Sequence, residues 1–218
     1  MTGTVVRKRK GSFWIAVAAA LLASAGVAIW KLWPTDAPAV AVPDRVCANT
    51  LPGKLAADLL PKRGDQYWEN VGPGDRFDVP YTGPTPDCTF ASGDREVSVM
   101  YFQYVDVDRV KSIDEAKEKV EREAEGPGSA PLRLGEARGY ASKRAAVLLL
   151  NCPMRENPRI IEARVYHRGS LPSDGLGAKK LAALASEVMR LAAKDVYKCD
   201  SDSALPAGEP TLGQPRGE

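Results

Sequence analysis

Hydrophobic and polar positions change their spacing several times along the chain, and each change marks an element. From Phe13 to Trp30 no residue is charged and only Ser24 is polar, which meets the requirement for a membrane-spanning helix. At 1.5 Å per residue the stretch from Gly11 to Trp33 reaches roughly 35 Å, enough to cross a hydrocarbon core. Residues 13–33 are therefore expected to form a transmembrane helix. Further on, Leu51, Leu55 and Leu59 share one face of a helix expected over Thr50 to Pro61, with Thr50 as cap and Pro52 in the first turn. Lys62 to Asp87 is dense in Gly and Pro and reads as a long loop, with a short strand near Arg76 to Val79.

The β-rich run from Cys88 predicts a hairpin with its turn near Gly93-Asp94 and a long second strand, Arg95 to Val105. Ser112-Ile113-Asp114-Glu115 is a capping box that opens a helix to about Glu125. Its apolar stripe, Ile113, Ala116, Val120 and Ala124, is narrow, and Glu115/Lys119 and Glu118/Arg122 stand four apart. Such a helix lies on the surface with one face down. Strands are expected over Ala137 to Ser142, Ala145 to Asn151 and Arg159 to Arg168. AAVLLLN is continuously apolar and hence central, whereas RIIEARVYHR alternates and reads as covered on one face only. Asp174 to Lys198 is a long amphipathic helix with Leu181, Leu184, Val188, Leu191, Ala192 and Val196 on one side. The order α-ββ-α-βββ-α predicts an α+β fold, an antiparallel sheet with helices largely on one face.

Between these elements lie a Pro/Ala-rich linker, 34–46, and a tail, 200–218, without aromatic residues and rich in Pro, Gly and acid. The tail reads as disordered. The chain thus divides into a basic N-terminus (1–12), the apolar span (13–33), the linker, a folded domain (47–199) and the tail. Arg7-Lys8-Arg9-Lys10 precedes the span with no acidic residue before Trp33, so the N-terminus is expected in the cytoplasm and the domain outside. Trp14, Trp30 and Trp33 sit where interfacial aromatics settle. Ala23-Ser24-Ala25 offers a competing signal-peptidase site, with cleavage after Ala25 releasing the domain. Against cleavage, the apolar run continues well past that site. Ala16, Ala20, Ser24 and Ala28 repeat at helical spacing, a weak signal for helix pairing in lipid.

The net charge of +2 comes from that N-terminus. Without Arg7, Lys8, Arg9, Lys10 and Lys31 the remainder carries more acid than base, which argues against nucleic acid as a partner. The four cysteines, Cys47, Cys88, Cys152 and Cys199, lie in the part expected outside, where disulfides persist. With no C-x-x-C and a single histidine, a zinc site has no support. Of the three possible pairings, Cys47–Cys88 and Cys152–Cys199 are expected: the first helix must pack on the hairpin that begins at Cys88, and the last helix, ending at Cys199, lies over AAVLLLNC.

Several of these segments carry a resemblance. Cys47 before LAADLL, the strand opening DCTF at Cys88, the GEARGY lead into paired strands and a last helix running into a cysteine resemble the uncharacterised actinobacterial cell-envelope domains, many of them lipoproteins. Their layout is similar to the PsbP-type α/β sandwich. The resemblance implies an α/β sandwich over Cys47 to Cys199 at the cell envelope and brings no catalytic residues. Here an expected membrane-anchoring helix stands in place of the lipid-bearing cysteine.

Chemical signals are sparse. His167 is the only histidine, and no G-x-S-x-G elbow or Gly-rich phosphate loop is present. Asp106 and Asp108 would point the same way on a persisting strand, and Asp75 and Asp78 form a second pair, but such pairs at loop ends ordinarily meet solvent. No catalytic residue, metal site or cofactor is assigned. The candidate contact surface is aromatic: Tyr67, Trp68, Phe77 and Tyr81 in the long loop. The expected function is a membrane-anchored, non-catalytic binding or scaffolding module at the bacterial envelope, with an envelope protein or wall polymer as partner. The alternative is a cell-wall glycan hydrolase using a carboxylate pair.

Overall fold

Two strands of unusual length organise the domain. Alternating Val97, Val99 and Tyr101 against Ile161, Ala163 and Val165 bury one face of both strands, and the antiparallel register runs unbroken from Glu96↔Arg168 to Val105↔Arg159. The computed structural model describes residues 37–72, 74–80, 85–105, 110–152, 159–170, 176–199 and 205–215. The expected transmembrane helix, the basic N-terminus and the Ala25 cleavage site lie outside the described residues. Among those that are described, no helix is long and apolar enough to cross a membrane.

The elements in chain order are β1 (Arg45–Val46), β2 (Leu51–Pro52), α1 (Gly53–Leu59), β3 (Trp68–Val71), β4 (Asp87–Ser92), β5 (Arg95–Val105) and α2 (Val110–Ala124). There follow β6 (Ala130–Leu134), β7 (Ala137–Ala141), β8 (Ala145–Asn151), β9 (Arg159–Arg168), α3 (Gly177–Arg190) and β10 (Thr211–Leu212). Apart from the small β1–β2 pair, the strands form one eight-stranded antiparallel sheet in the order β10-β6-β7-β8-β9-β5-β4-β3. Two meanders, β3-β4-β5 and β6-β7-β8, are joined by β9, which pairs with β5 on one side and β8 on the other. The fold is α+β, and AAVLLLN is central as its apolar run predicts.

Helices α1 and α3 share one face of the sheet, in line with the expectation of helices largely on one face, and α2 takes the other. Helices α1 and α3 pack on the first face of the sheet, where Leu59, Leu181, Leu184 and Val188 meet Val99, Leu148 and Val165 in the main core. Helix α2 lies on the second face, over Tyr140, Val147, Leu149 and Ile160, through the buried Val120. Its narrow stripe buries only a strip of sheet, so the second face is covered in part. That incomplete cover leaves room for a cleft.

Other boundaries moved for local reasons. Helix α1 starts at Gly53 with Pro52 as its cap residue, and Thr50 instead donates its hydroxyl to the Cys47 carbonyl at 2.6 Å. Arg76 to Val79 is not a strand; the long loop instead contributes β3, Trp68 paired with Ala91 and Val71 with Cys88. Strand β6, whose residues Ala130, Leu132 and Leu134 alternate inward, has no clear strand signal of its own, because two glycines and a proline precede it. Linker residues from Pro38 onward belong to the folded unit, with Val40 N–H donating to the Lys62 carbonyl at 3.0 Å. The tail is not structureless over 205–215: Leu212 pairs with Leu132, and the Arg190 guanidinium donates to the Pro206 carbonyl at 2.8 Å.

Both expected disulfides are formed, Cys47–Cys88 and Cys152–Cys199. A π-helical turn, Leu191–Val196, extends α3, with Tyr197 N–H bonded to the Ala192 carbonyl at 2.8 Å and Cys199 N–H to Ala193 at 2.8 Å. This wider turn and the positive φ of 52° at Lys198 end the helix where Cys199 bonds Cys152 beyond β8.

Candidate functional site

Strand β9 supplies the floor of the cleft through its second-face residues, Glu162, Arg164, Tyr166 and Arg168. Alternation puts all four on one side, and at about 3.3 Å per residue they span roughly 20 Å. Glu162 is 2% exposed, although a carboxylate is rarely buried without partners. Both of its oxygens accept hydrogen bonds: Oε1 from Arg164 Nε, and Oε2 from Arg164 Nη2 at 2.8 Å and the Tyr104 hydroxyl at 2.6 Å. The guanidinium also stacks over Phe102, 4.8 Å from its ring centre. Burial works against the charge of Arg164, but the hydrogen bonds to Glu162 outweigh it and raise its pKa further. Burial, then the bond to Glu162, pushes the Tyr104 phenol up as well.

Over this floor α2 forms one wall with Glu115, Ala116, Lys119, Val120 and Glu123, enclosing a cleft of about 230 Å³ that Tyr104, Tyr140 and Tyr166 also line. The Tyr140 phenol is pushed up to about 12, by burial first and then by Tyr166 and Glu123. Neither Tyr140 nor Tyr166 bonds its hydroxyl to another described residue. Lys119, Glu123, Tyr140 and Tyr166 also line a second, larger cavity of about 660 Å³ beside it, with Ser98, Arg144 and Arg168. The two are one trough running along β9. Neither Glu115/Lys119 nor Glu118/Arg122 closes the ion pair expected from its spacing, and Lys119 faces the trough.

The aromatic residues singled out from sequence are dispersed. Phe77 is fully buried, its ring edge-on to Tyr101 at 5.2 Å, and the Tyr101 hydroxyl donates to the carbonyls of Phe77 (2.5 Å) and Val79 (2.7 Å). These contacts plug the long loop onto the core. Tyr67 is half-buried beside Phe90 and donates to Glu69 Oε2 at 2.5 Å. Trp68 stands exposed on the edge strand β3; Tyr81 lies outside the described residues. No single surface gathers Tyr67, Trp68 and Phe77.

Of the carboxylate pairs, Asp106 and Asp108 lie outside the described residues. Asp78 pairs with Arg76 at 3.1 Å in the open, which lowers its pKa. Among the described residues no group of three or more His, Cys, Asp or Glu side chains is placed to hold a metal. The chain matches no protein-family model, no curated protein and no solved structure. The trough residues were missed from sequence because Glu162 and Arg164 read as the solvent side of an alternating strand.

His167 borders the second cavity, but alternation along β9 turns its ring toward the face of Val97, where it is 3% exposed with neither ring nitrogen hydrogen-bonded. Burial, and then Arg95 and Arg144, lower its pKa, with Asp94 acting weakly the other way. A base whose folded pKa is depressed binds protons more readily when unfolded, so its share of stability is complete above about pH 6.5 and falls as the pH drops below that value. Urea unfolding at pH 7.5 and pH 5.5 should therefore show a loss that is smaller in His167→Leu. An equal loss in the variant would place the pH dependence elsewhere.

Proposed function

We propose that the chain is a single-pass membrane protein whose disulfide-braced domain stands outside the cytoplasmic membrane and acts there by binding, with its ligand in the trough between α2 and the sheet. The observation that carries the binding reading is the pair of unpartnered phenols, Tyr140 and Tyr166, beside a buried and fully bonded Glu162–Arg164 pair. A concave site with a few convergent polar groups on rigid elements is the usual form of a ligand site. The basic run before an uncharged span supports the membrane anchor. The two disulfides agree with an oxidising compartment, as does the resemblance to actinobacterial envelope domains.

A non-catalytic role fits the floor chemistry. Glu162 has both oxygens engaged by Arg164 and Tyr104, and the ring of His167, whose residue borders the second cavity, is buried on the side of β9 that pairs with Val97. The hydrolase alternative requires two carboxylates opposed across a scissile bond; Glu115 and Glu123 both project from the α2 wall, and Glu162, the carboxylate on the facing floor, would have to leave its bonds to Arg164 and Tyr104.

Hydrogen exchange of the full chain in membranes of the cells that make it, compared with the chain purified in detergent, tests the site. Protection gained in α2 and β9 is the expected result, since ligand binding suppresses local opening. Protection confined to α3, or none, would overturn the reading. In the same membranes, added protease should digest the domain and spare a tag placed before Arg7. A mature chain beginning at Gly26 would establish secretion instead.

A further inference from the structure

The two ends of the trough differ in charge. At the Tyr104 end the buried carboxylate and guanidinium neutralise one another, and the remaining groups are phenols, the short apolar side chains of Ala116, Val120 and Val147, and Glu115 on α2, together with Lys119 and Glu123, which border both ends. At the other end Lys119, Arg144 and Arg168 converge on the larger cavity with Glu123 as the one carboxylate among its lining residues. Lys119 and Arg144 have no carboxylate within ion-pair distance among the described residues. Arg168 reaches Glu96 only at 3.5 Å, with its own side chain largely exposed. Such an exposed contact contributes little and is readily exchanged for another.

We propose that this trough takes an acidic saccharide, its ring hydroxyls bonded to Tyr140, Tyr166 and the Glu115 and Glu123 carboxylates, and its carboxylate held between Lys119 and Arg144. The inference rests on the reading of the trough as the ligand site and names the ligand's chemistry. Phenols supply both donors and acceptors, carboxylates supply acceptors, and each matches a ring hydroxyl. Tyr faces also give a flat apolar surface for the C–H side of a sugar ring. A guanidinium presents a planar fork to a carboxylate.

Other ligands fit less well. A peptide that adds as a strand needs a free sheet edge, and β9 is paired on both sides. An acyl chain needs a deep apolar pocket, whereas this trough alternates phenols with charges. A length of roughly 20 Å along β9, wider at the cationic end, suits a short oligosaccharide.

Full-length protein in detergent micelles, titrated with oligogalacturonides of two to four sugars, tests this by NMR shift changes of the tyrosine rings and by calorimetry. Neutral malto-oligosaccharides of the same lengths and inorganic phosphate serve as the comparison probes. The acidic sugar should bind at least about tenfold more tightly than either and weaken with added salt. Lys119→Gln with Arg144→Gln, both side chains at the surface, should abolish that preference with the circular dichroism unchanged. Equal binding of neutral sugars would overturn the proposal while keeping the trough as a binding site. Phosphate binding as tight as the acidic sugar would reduce the trough to a simple anion site and overturn it too. Absence of any shift in the trough, with protection of α2 and β9 still seen in membranes, would assign the site a ligand of another class.

Discussion

Replacing Cys47 and Cys88 together by serine lowers the unfolding free energy by about 4 kcal/mol, the chain-entropy value for a loop of this length, the two cysteines standing 41 apart in sequence. The disulfide also anchors an uncommon piece of backbone. Cys47, Ala48 and Asn49 have φ of 56°, 56° and 61°, three successive left-handed residues that are not glycine. Each costs roughly 1–2 kcal/mol in such a turn. Surrounding bonds hold it: Thr50 N–H to the Val46 carbonyl at 3.1 Å, Ala48 N–H to Glu69 Oε1 at 3.1 Å, and Arg45 to the carbonyls of Asn49 and Thr50, each at 2.7 Å. In the double variant the amides of Ala48 and Thr50 should exchange far faster than those of β8, since Cys152–Cys199 still ties the other end. Urea denaturation checks the magnitude. A loss below about 1 kcal/mol would mean that the unfolded chain gains little from the cut.

Glu162→Ala should cost about 3 kcal/mol. The substitution strands a guanidinium that is largely enclosed, its side chain 18% exposed, and leaves the Tyr104 hydroxyl without its acceptor. Breaking one side of a buried ion pair commonly costs about 3–5 kcal/mol, and the lower end applies because Arg164 reaches the water of the trough. The companion variant Glu162→Leu with Arg164→Met removes both charges at similar volume and should fall within about 1 kcal/mol of the natural protein. If the single and double variants lost the same amount, the pair would stabilise the fold outright. The expected pattern instead makes Glu162 a positioning residue that fixes Arg164 and Tyr104 at the floor.

Legibility in the sequence followed the strength of local signals. The β4–β5 hairpin, β8 and the core side of α3 were readable because apolar spacing, a Gly-Asp turn and branched residues all agreed. The disulfide pairing was readable because each cysteine adjoins an element whose packing partner adjoins another. Strands β3, β6 and β10 were not. They are short and flanked by Gly and Pro, and they become strands only because an already formed neighbour offers its edge. The aromatic loop misled for a related reason: composition placed Phe77 in an irregular segment, while Tyr101, distant in sequence, captures that segment's carbonyls and draws the ring inward.

Periodicity, turn chemistry and cysteine placement, all properties of neighbouring residues, determined by themselves the α+β class, the central strand, one narrow surface helix and two crosslinks. Only the tertiary structure decided which face of the sheet each helix covers. That choice depends on the crossover from β5 to β6, whose strands are separated by β9, β8 and β7. It also decided that the polar side of β9 is not solvent but the floor of a trough. An alternating strand writes the same pattern whether its polar face meets water or a half-covering helix, and only the position of α2 separates the two.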